Sequence, residues 1–576
     1  MLDVPPINRF KIRDLCIAIF LFAATALWTL WQNSRVAVLW DLGYLLNTSH
    51  RIAVGQIPYR DFSLVHPPIT FFVQAVIEHI FGRHYEYVVA YAAFAGGVAS
   101  LLTWWIIREI VCGQSHAWLI SLLLTLPLPV LGIYSIYPHP IYDADSVLAI
   151  LAAILLLYRA AKPDASWKTR TVAGASCALP LFVKQNIGLP FLLAVLVAAM
   201  LLLAVRRTQR GRKTEPSHHL SSAAILQIAG GALAALAVVT ACLAITCGLR
   251  NYIHWTVQFA AQRRLPAANT LLSLYGEPSL VWALPSFAAG IALLFCRPLR
   301  RAWIHAIGVC LATIPFAATL VCLLLEPNAE DRADRLLALW PLLLIAAMAI
   351  SLLELRKGVT FPRLIPFVIL AAIHGTFLSQ EVWGSTYAIW SLLILLAGNL
   401  LMALPARASR AVPALAAAMG VTLLVCGGFY AASLERLDYI YNSADEPLVR
   451  ATLPVLHGMA ARGTYLPDFE QLVRFADAEI PASDGILLLP GEEPFFYVTG
   501  RVPRFPVVLF DHTTDPYTPE ELFAEVKRLG VRWVVMKTRL QSNEDPLLER
   551  AQIMQQIEQQ FQLVRKLDGY DVYYRR

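Results

Sequence analysis

Residues 15–44 read LCIAIFLFAATALWTLWQNSRVAVLWDLGY. The stretch 15–34 carries no charged residue, and about 20 such residues suffice to cross a bilayer as one helix. Arg9, Lys11 and Arg13 precede it, as they would a signal peptide, but no small-residue cleavage site ends the run cleanly. The stretch therefore reads as an uncleaved first span, and Asp41 follows it at the opposite water boundary.

Outward from this segment the same pattern recurs nearly end to end as far as residue 433. Apolar run length gives about thirteen spans, at roughly 15–34, 85–107, 116–134, 143–160, 170–183, 187–205, 222–247, 278–296, 302–325, 335–354, 363–379, 388–404 and 412–433. The composition agrees: 57% of the 576 residues are hydrophobic and 15% charged, against about 45–50% and about 25% in soluble domains. With a mean hydropathy of +0.57, a soluble enzyme is excluded.

The net charge of +7 hides an asymmetry: residues 434–576 hold 16 Lys and Arg against 22 Asp and Glu, a balance of −6, which leaves +13 on residues 1–433. The cations of the body fall in alternate loops, from Arg159 to Arg170, Arg206 to Lys213, Arg297 to Arg301, Arg356-Lys357 and Arg407 to Arg410. That is the positive-inside pattern of cytoplasmic loops rather than the basic patch of a nucleic-acid binder, so no nucleic-acid partner is expected. The expected setting is the plasma (inner) membrane, with a cytoplasmic N-terminus. An odd number of spans then places the acidic tail outside.

The fold class is thus an α-helical polytopic membrane protein of about 13 transmembrane helices, residues 1–433, with an exported α/β domain at residues 434–576. In the tail, Ile486-Leu487-Leu488-Leu489 and Val531-Arg532-Trp533-Val534-Val535 read as strands. Thr518-Pro519-Glu520-Glu521 opens a helix between them as a capping box, and Asp568-Gly569 closes a hairpin. All nine cysteines lie in or beside apolar segments, none in the tail and none at zinc-ligand spacing, so they read as packing residues.

The first external loop, residues 35–84, is more than a connector. It contains Trp40-Asp41-Leu42-Gly43-Tyr44, an amphipathic run to Ile52, Gly55-Gln56-Ile57-Pro58-Tyr59-Arg60-Asp61-Phe62, and His66-Pro67-Pro68 opening another apolar run. Aromatic and charged residues alternating in this way suit a segment lying along the membrane surface. Asp41 either N-caps the helix that follows or serves as an interfacial carboxylate with a function. Tyr137-Pro138-His139-Pro140-Ile141-Tyr142-Asp143-Ala144-Asp145-Ser146 brings further acids to the same side. Two such acids could share a divalent metal ion, with Asp41 and Asp145 its ligands, or act as base and orienter. Lys184-Gln185-Asn186 interrupts an apolar stretch on that side, where Lys184 either snorkels or meets a phosphate at headgroup level beside Arg60, His66, Arg263 or Arg264.

In their order, these segments resemble the GT-C membrane glycosyltransferases, among them the lipid A aminoarabinose transferases and the protein O-mannosyltransferases. The resemblance covers most of the chain in architecture, and its motifs lie in residues 40–68, 137–147 and 180–188. It implies transfer of a sugar from a polyprenyl-phosphate carrier, with inversion, to a glycan, lipid or protein acceptor on the external face. Asp41 matches the family's catalytic acid, and Asp145, with Asp143 as second choice, matches its acidic partner. The Gly-x-x-Pro-Tyr-x-Asp segment brings Asp61 into the substrate-binding set with Lys184, Arg60, His66, Arg263 and Arg264. One departure is His66-Pro67-Pro68 where lipid A transferases carry Lys-Pro-Pro, which removes a permanent charge.

The residue types suit the chemistry independently. Attack by a hydroxyl on an anomeric carbon needs a base, and a leaving phosphate needs positive charge. A lipid-linked glycan transporter or flippase is the second-ranked alternative, because transporters usually show internal repeats and mid-bilayer ionisable groups, whereas here the acids cluster at one interface and the two halves show no matching pattern. A scaffold would leave the first loop unexplained. A glycan polymerase or ligase would need a large late external loop, for which only Gln380-Glu381-Val382-Trp383-Gly384 is available.

Overall fold

The computed structural model describes residues 12–35, 39–114, 116–209, 220–295, 302–327, 336–378, 388–433, 446–540, 546–547 and 549–575. Arg9, Lys11, Lys213, the 297–301 loop, Gln380 to Gly384 and the 433/434 boundary lie outside these residues, as do the side chains of Arg264 and Arg407.

The helices follow the apolar runs closely. In chain order the first ten are α1 (Ile12–Asn33), α2 (Leu39–Ala53), α3 (Ile69–Phe81), α4 (Tyr85–Ile110), α5 (Ala117–Thr125), α6 (Leu128–Leu131), α7 (Tyr142–Ala160), α8 (Trp167–Ala178), α9 (Gln185–Gln209) and α10 (Ser222–Thr246). Apolar helices over Leu280–Phe295, Ala302–Leu325, Leu339–Leu355, Phe361–Thr376, Trp390–Met402 and Ala411–Ala432 follow. Six helices among the described residues are long and apolar enough to cross a membrane, and further apolar helices are shorter. The expected third span is broken into α5 and α6 at Leu126-Pro127, because Pro127 has no amide hydrogen to continue the ladder.

Small residues bring the helices together. A Cβ added at Gly174 of α8 would lie 1.9 Å from the carbonyl oxygen of Ile228, and one at Gly231 of α10 would lie 2.2 Å from that of Thr171. Backbone meets backbone there, as small-residue interfaces between membrane helices allow. In α3 the side chains of Thr70, Phe71, Gln74 and Ala75 are buried while Phe72, Val76 and Ile80 are exposed along a stripe at four-residue spacing. The amphipathic loop thus forms two helices, α2 and α3, and α3 turns an apolar stripe outward.

Beyond residue 445 the chain forms an α/β unit. A short hairpin, β1 (Leu448–Arg450) and β2 (Ala460–Arg462), precedes a four-stranded sheet of β3 (Gly485–Leu489), β4 (Val531–Lys537), β5 (Gln562–Lys566) and β6 (Tyr570–Tyr574) in the order β3-β4-β6-β5. β3 and β4 are parallel, and β6 is antiparallel to both of its neighbours. The helix Pro519–Arg528 begins at the capping box read from sequence, with Thr518 accepting from the Glu521 amide and the Glu521 carboxylate accepting from the Thr518 amide.

Strand alternation gives this sheet two apolar faces. Leu487, Leu489, Val534 and Met536 point into a core with Phe505, Phe523 and Ile557. Ile486, Leu488, Trp533 and Val535 point the other way, into a cluster that also contains Leu42, Leu45 and Leu46 of α2, Tyr59 and Phe62 of the loop, and Tyr142 of α7. The C-terminal unit and the first loop share one core, which continues into the N-terminal end of α7.

Candidate functional site

Three chain breaks converge at one end of the bundle, and proline stands near each of them. Pro138 and Pro140 precede Ile141, which is extended at φ −148°, ψ 145°, and α7 starts at Tyr142 with Asp143 and Asp145 in its first turn. The first turn favours negative charge because unpaired amides gather there. Pro180 lies in a 3₁₀ turn over Leu179–Phe182, after which Lys184 stands between helical segments and α9 begins at Gln185. Pro67 and Pro68 place His66 just before α3.

Lys184 is buried, and its Nζ lies 3.3 Å from Oδ2 of Asp143 and 4.0 Å from the centre of the Tyr142 ring. A desolvated ammonium gains from both contacts. The imidazole of His66 stacks on Tyr142 with ring centres 3.9 Å apart, and its Nδ1 lies 3.3 Å from the Tyr44 hydroxyl. The His66 carbonyl accepts from the Tyr59 hydroxyl at 2.7 Å. Gln185 donates to the carbonyls of Val65 and Thr256, both at 3.1 Å, which ties the Lys184 turn to the first loop and to the segment after α10. Tyr44 belongs to α2, one turn after Asp41, and residues three apart share a helix face. Asp41 is half-buried. It lies inside the first turn of a helix that begins at Leu39, so capping from Leu42 onward is not its position.

The two acids of α7 are differently engaged. Asp145 is buried and accepts hydrogen bonds from Thr70 at 2.7 Å, Tyr91 at 2.8 Å and Tyr134 at 2.5 Å, joining α3, α4 and the segment before α7. Asp143 faces Lys184. Both Asp145 oxygens are engaged by hydroxyl donors. No group of three or more His, Cys, Asp or Glu side chains that could hold a metal occurs among the described residues.

The remaining candidates stand elsewhere. Arg60 is exposed and pairs with Asp61 at 2.8 Å. Asp61 also accepts from the Ile57 amide at 2.8 Å, closing the loop in which Tyr59 takes a positive φ of 68°. Arg263 donates to the His512 carbonyl at 3.0 Å, and so joins the segment after α10 to the C-terminal unit. Arg264 closes the short helix Ala260–Arg264. Sequence reasoning missed Tyr44, Tyr142, Tyr91, Tyr134 and Thr70. Tyr142, next to Asp143, and Tyr44, one turn after Asp41, are the two whose positions within the quoted motifs offered a signal.

The membrane-glycosyltransferase resemblance read from the motifs is met by a family model: residues 65–234 match dolichyl-phosphate-mannose-protein mannosyltransferase. This stretch holds His66, Asp143, Asp145 and Lys184 and leaves Asp41 outside. Among solved structures, the chain is similar to ArnT from Cupriavidus metallidurans in the apo state, at 13% identity and a TM-score of 0.48 over 98% of each chain. It is similar to the same protein bound to undecaprenyl phosphate, at 13% identity and 0.46 over 96% of this chain and 97% of that one. The apo oligosaccharyltransferase of Archaeoglobus fulgidus is similar at 11% identity and 0.46 over 92% of this chain and 70% of that one. The comparison with curated proteins found no match.

Proposed function

We propose that the protein is an inverting glycosyltransferase that moves a sugar from a polyprenyl-phosphate carrier to an acceptor on the external face of the plasma membrane. The observation that carries this reading is the buried Lys184 ammonium at the break between α8 and α9, set against Tyr142 and Asp143 and one aromatic contact from His66. A snorkelling lysine extends to water, whereas this one is held inward where a leaving phosphate would arrive. The family matched over residues 65–234 is named for a sugar donor on a polyprenyl phosphate, dolichyl-phosphate-mannose, which supports a donor of this class.

In the proposed step, a nucleophile of a glycan, lipid or protein acceptor attacks the anomeric carbon. Its proton passes to Asp41, the bond from that carbon to the phosphate oxygen breaks, and the polyprenyl phosphate leaves toward Lys184 and His66. Asp143 orients Lys184, and Asp145 holds α3, α4 and α7 in register. Arg60, Asp61, Arg263 and Arg264 are the further candidates for binding the substrate. No step is assigned to a metal. The N-terminus is cytoplasmic and the C-terminal domain external.

Asp41→Asn tests the reading, because it keeps the shape and removes the basicity. Transfer from a polyprenyl-phosphate sugar should fall by about 100-fold or more, the contribution of a positioned base. Near-normal turnover of the folded variant would sink the assignment.

A further inference from the structure

The helix α2 carries Asp41 and also packs against the C-terminal unit. Asp41 and Tyr44 lie on one of its faces, and Gly43, Asn47 and Arg51, spaced four apart, lie on the neighbouring one. That second face is pressed against the C-terminal chain. Asn47 donates to the Glu493 carbonyl at 2.6 Å and accepts from the Tyr497 amide at 3.3 Å. Arg51, fully buried, donates to the carbonyls of Phe505 at 2.7 Å and Val507 at 3.1 Å. At Gly43 the approach leaves no room for a side chain, since an added Cβ would lie 1.8 Å from the Glu492 carbonyl oxygen.

The chain that α2 leans on is itself fixed from behind. Lys537, buried in β4, bridges Glu492 at 2.5 Å and Glu493 at 2.9 Å, and the Tyr570 hydroxyl donates to Glu493 at 3.0 Å. The sheet therefore holds residues 492–493, these hold Gly43 and Asn47, and the same helix carries Asp41, within one turn of Gly43 and within two of Asn47.

We propose that Asn47 and Gly43 are positioning residues, through which the C-terminal domain sets where α2, and with it Asp41, stands relative to Lys184. This inference rests on the proposed glycosyl transfer for its catalytic readout, and on the α2 contacts for its structural one. Neither residue touches the reacting atoms. Their effect is on geometry, and a misplacement of about 1 Å at a reacting centre costs about 100-fold. Gly43→Ala forces a displacement of that size, because real Cβ contacts are not found under 3.0 Å.

The test uses the full chain in lipid nanodiscs, with Gly43→Ala and, should that variant fail to fold, Asn47→Ala, which introduces no overlap. Turnover with a polyprenyl-phosphate sugar should fall about 100-fold for the first and about 10-fold for the second, with donor KM within about twofold of wild type. Amide exchange over residues 40–53 should accelerate while exchange in β3 and β4 stays unchanged. A folded variant with wild-type kcat, or one that loses only donor KM, overturns the proposal. If the wild type itself transfers no polyprenyl-phosphate sugar, the functional reading fails separately, and amide exchange, which needs no donor, still decides. Unchanged exchange over residues 40–53 in Asn47→Ala then refutes the coupling, and faster exchange upholds it.

Discussion

Replacing Lys184 by glutamine separates its observed pairing with Asp143 from its proposed role toward the phosphate. The ammonium lies 3.3 Å from Asp143 in a buried pair, so its loss leaves that carboxylate without this cation, at a cost of about 3–5 kcal/mol where a buried pair is broken from one side. In the proposed reaction the same substitution also removes positive charge from the leaving phosphate, a loss of about 100-fold or more in turnover for an electrostatic donor in a dry site. The double variant Lys184→Gln with Asp143→Asn distinguishes them, because two neutral amides restore a compatible buried pair but no cation. Thermal unfolding in nanodiscs should show the single variant destabilised and the double variant largely recovered. Turnover with a polyprenyl-phosphate sugar should stay low in both. Recovery of near wild-type turnover in the double variant would refute the phosphate role and leave Lys184 a structural partner of Asp143.

Asp145→Ala should destabilise by about 3 kcal/mol or more, since the hydroxyls of Thr70, Tyr91 and Tyr134 each lose a buried acceptor; an unchanged unfolding temperature would contradict this anchoring. A cysteine introduced into the C-terminal domain, which has none of its own, should react with a membrane-impermeant thiol reagent in intact cells, and a requirement for broken cells would reverse the topology. Burial raises the Asp515 carboxyl to about 7, with the Tyr517 amide and Arg263 opposing and Asp511 assisting. Because the folded value lies above the unfolded one of about 4, this group's contribution to stability is present below that pH and is lost as pH rises through about 7. The C-terminal domain should therefore melt lower at pH 8 than at pH 5, and Asp515→Asn should flatten that difference; an equal slope in the variant would exclude Asp515 as its source.

Local chemistry determined much of this molecule before any tertiary contact. Apolar run length marked the helices, from Ile12–Asn33 to Ala411–Ala432, and Thr518 with Glu521 marked the start of a helix in the acidic tail. These are signals written within a few turns of one chain segment, where hydrophobic transfer and backbone capping act. Lys184, Asp41, Asp143 and Asp145 were legible as candidates because charge is costly in apolar surroundings and so stands out.

Packing between distant segments decided the rest. Both Asp143 and Asp145 begin α7, and only the fold assigns the first to Lys184 and the second to three hydroxyls from residues 11 to 75 positions away. Arg60 looked equivalent to Lys184 in charge, yet a tight turn gives it to its neighbour Asp61 in water. Nothing in Gly43 or Asn47 announces that residues some 450 positions later rest against them. Such contacts depend on which faces meet once helices and sheet share a core, a property of the whole chain that no local window of sequence contains.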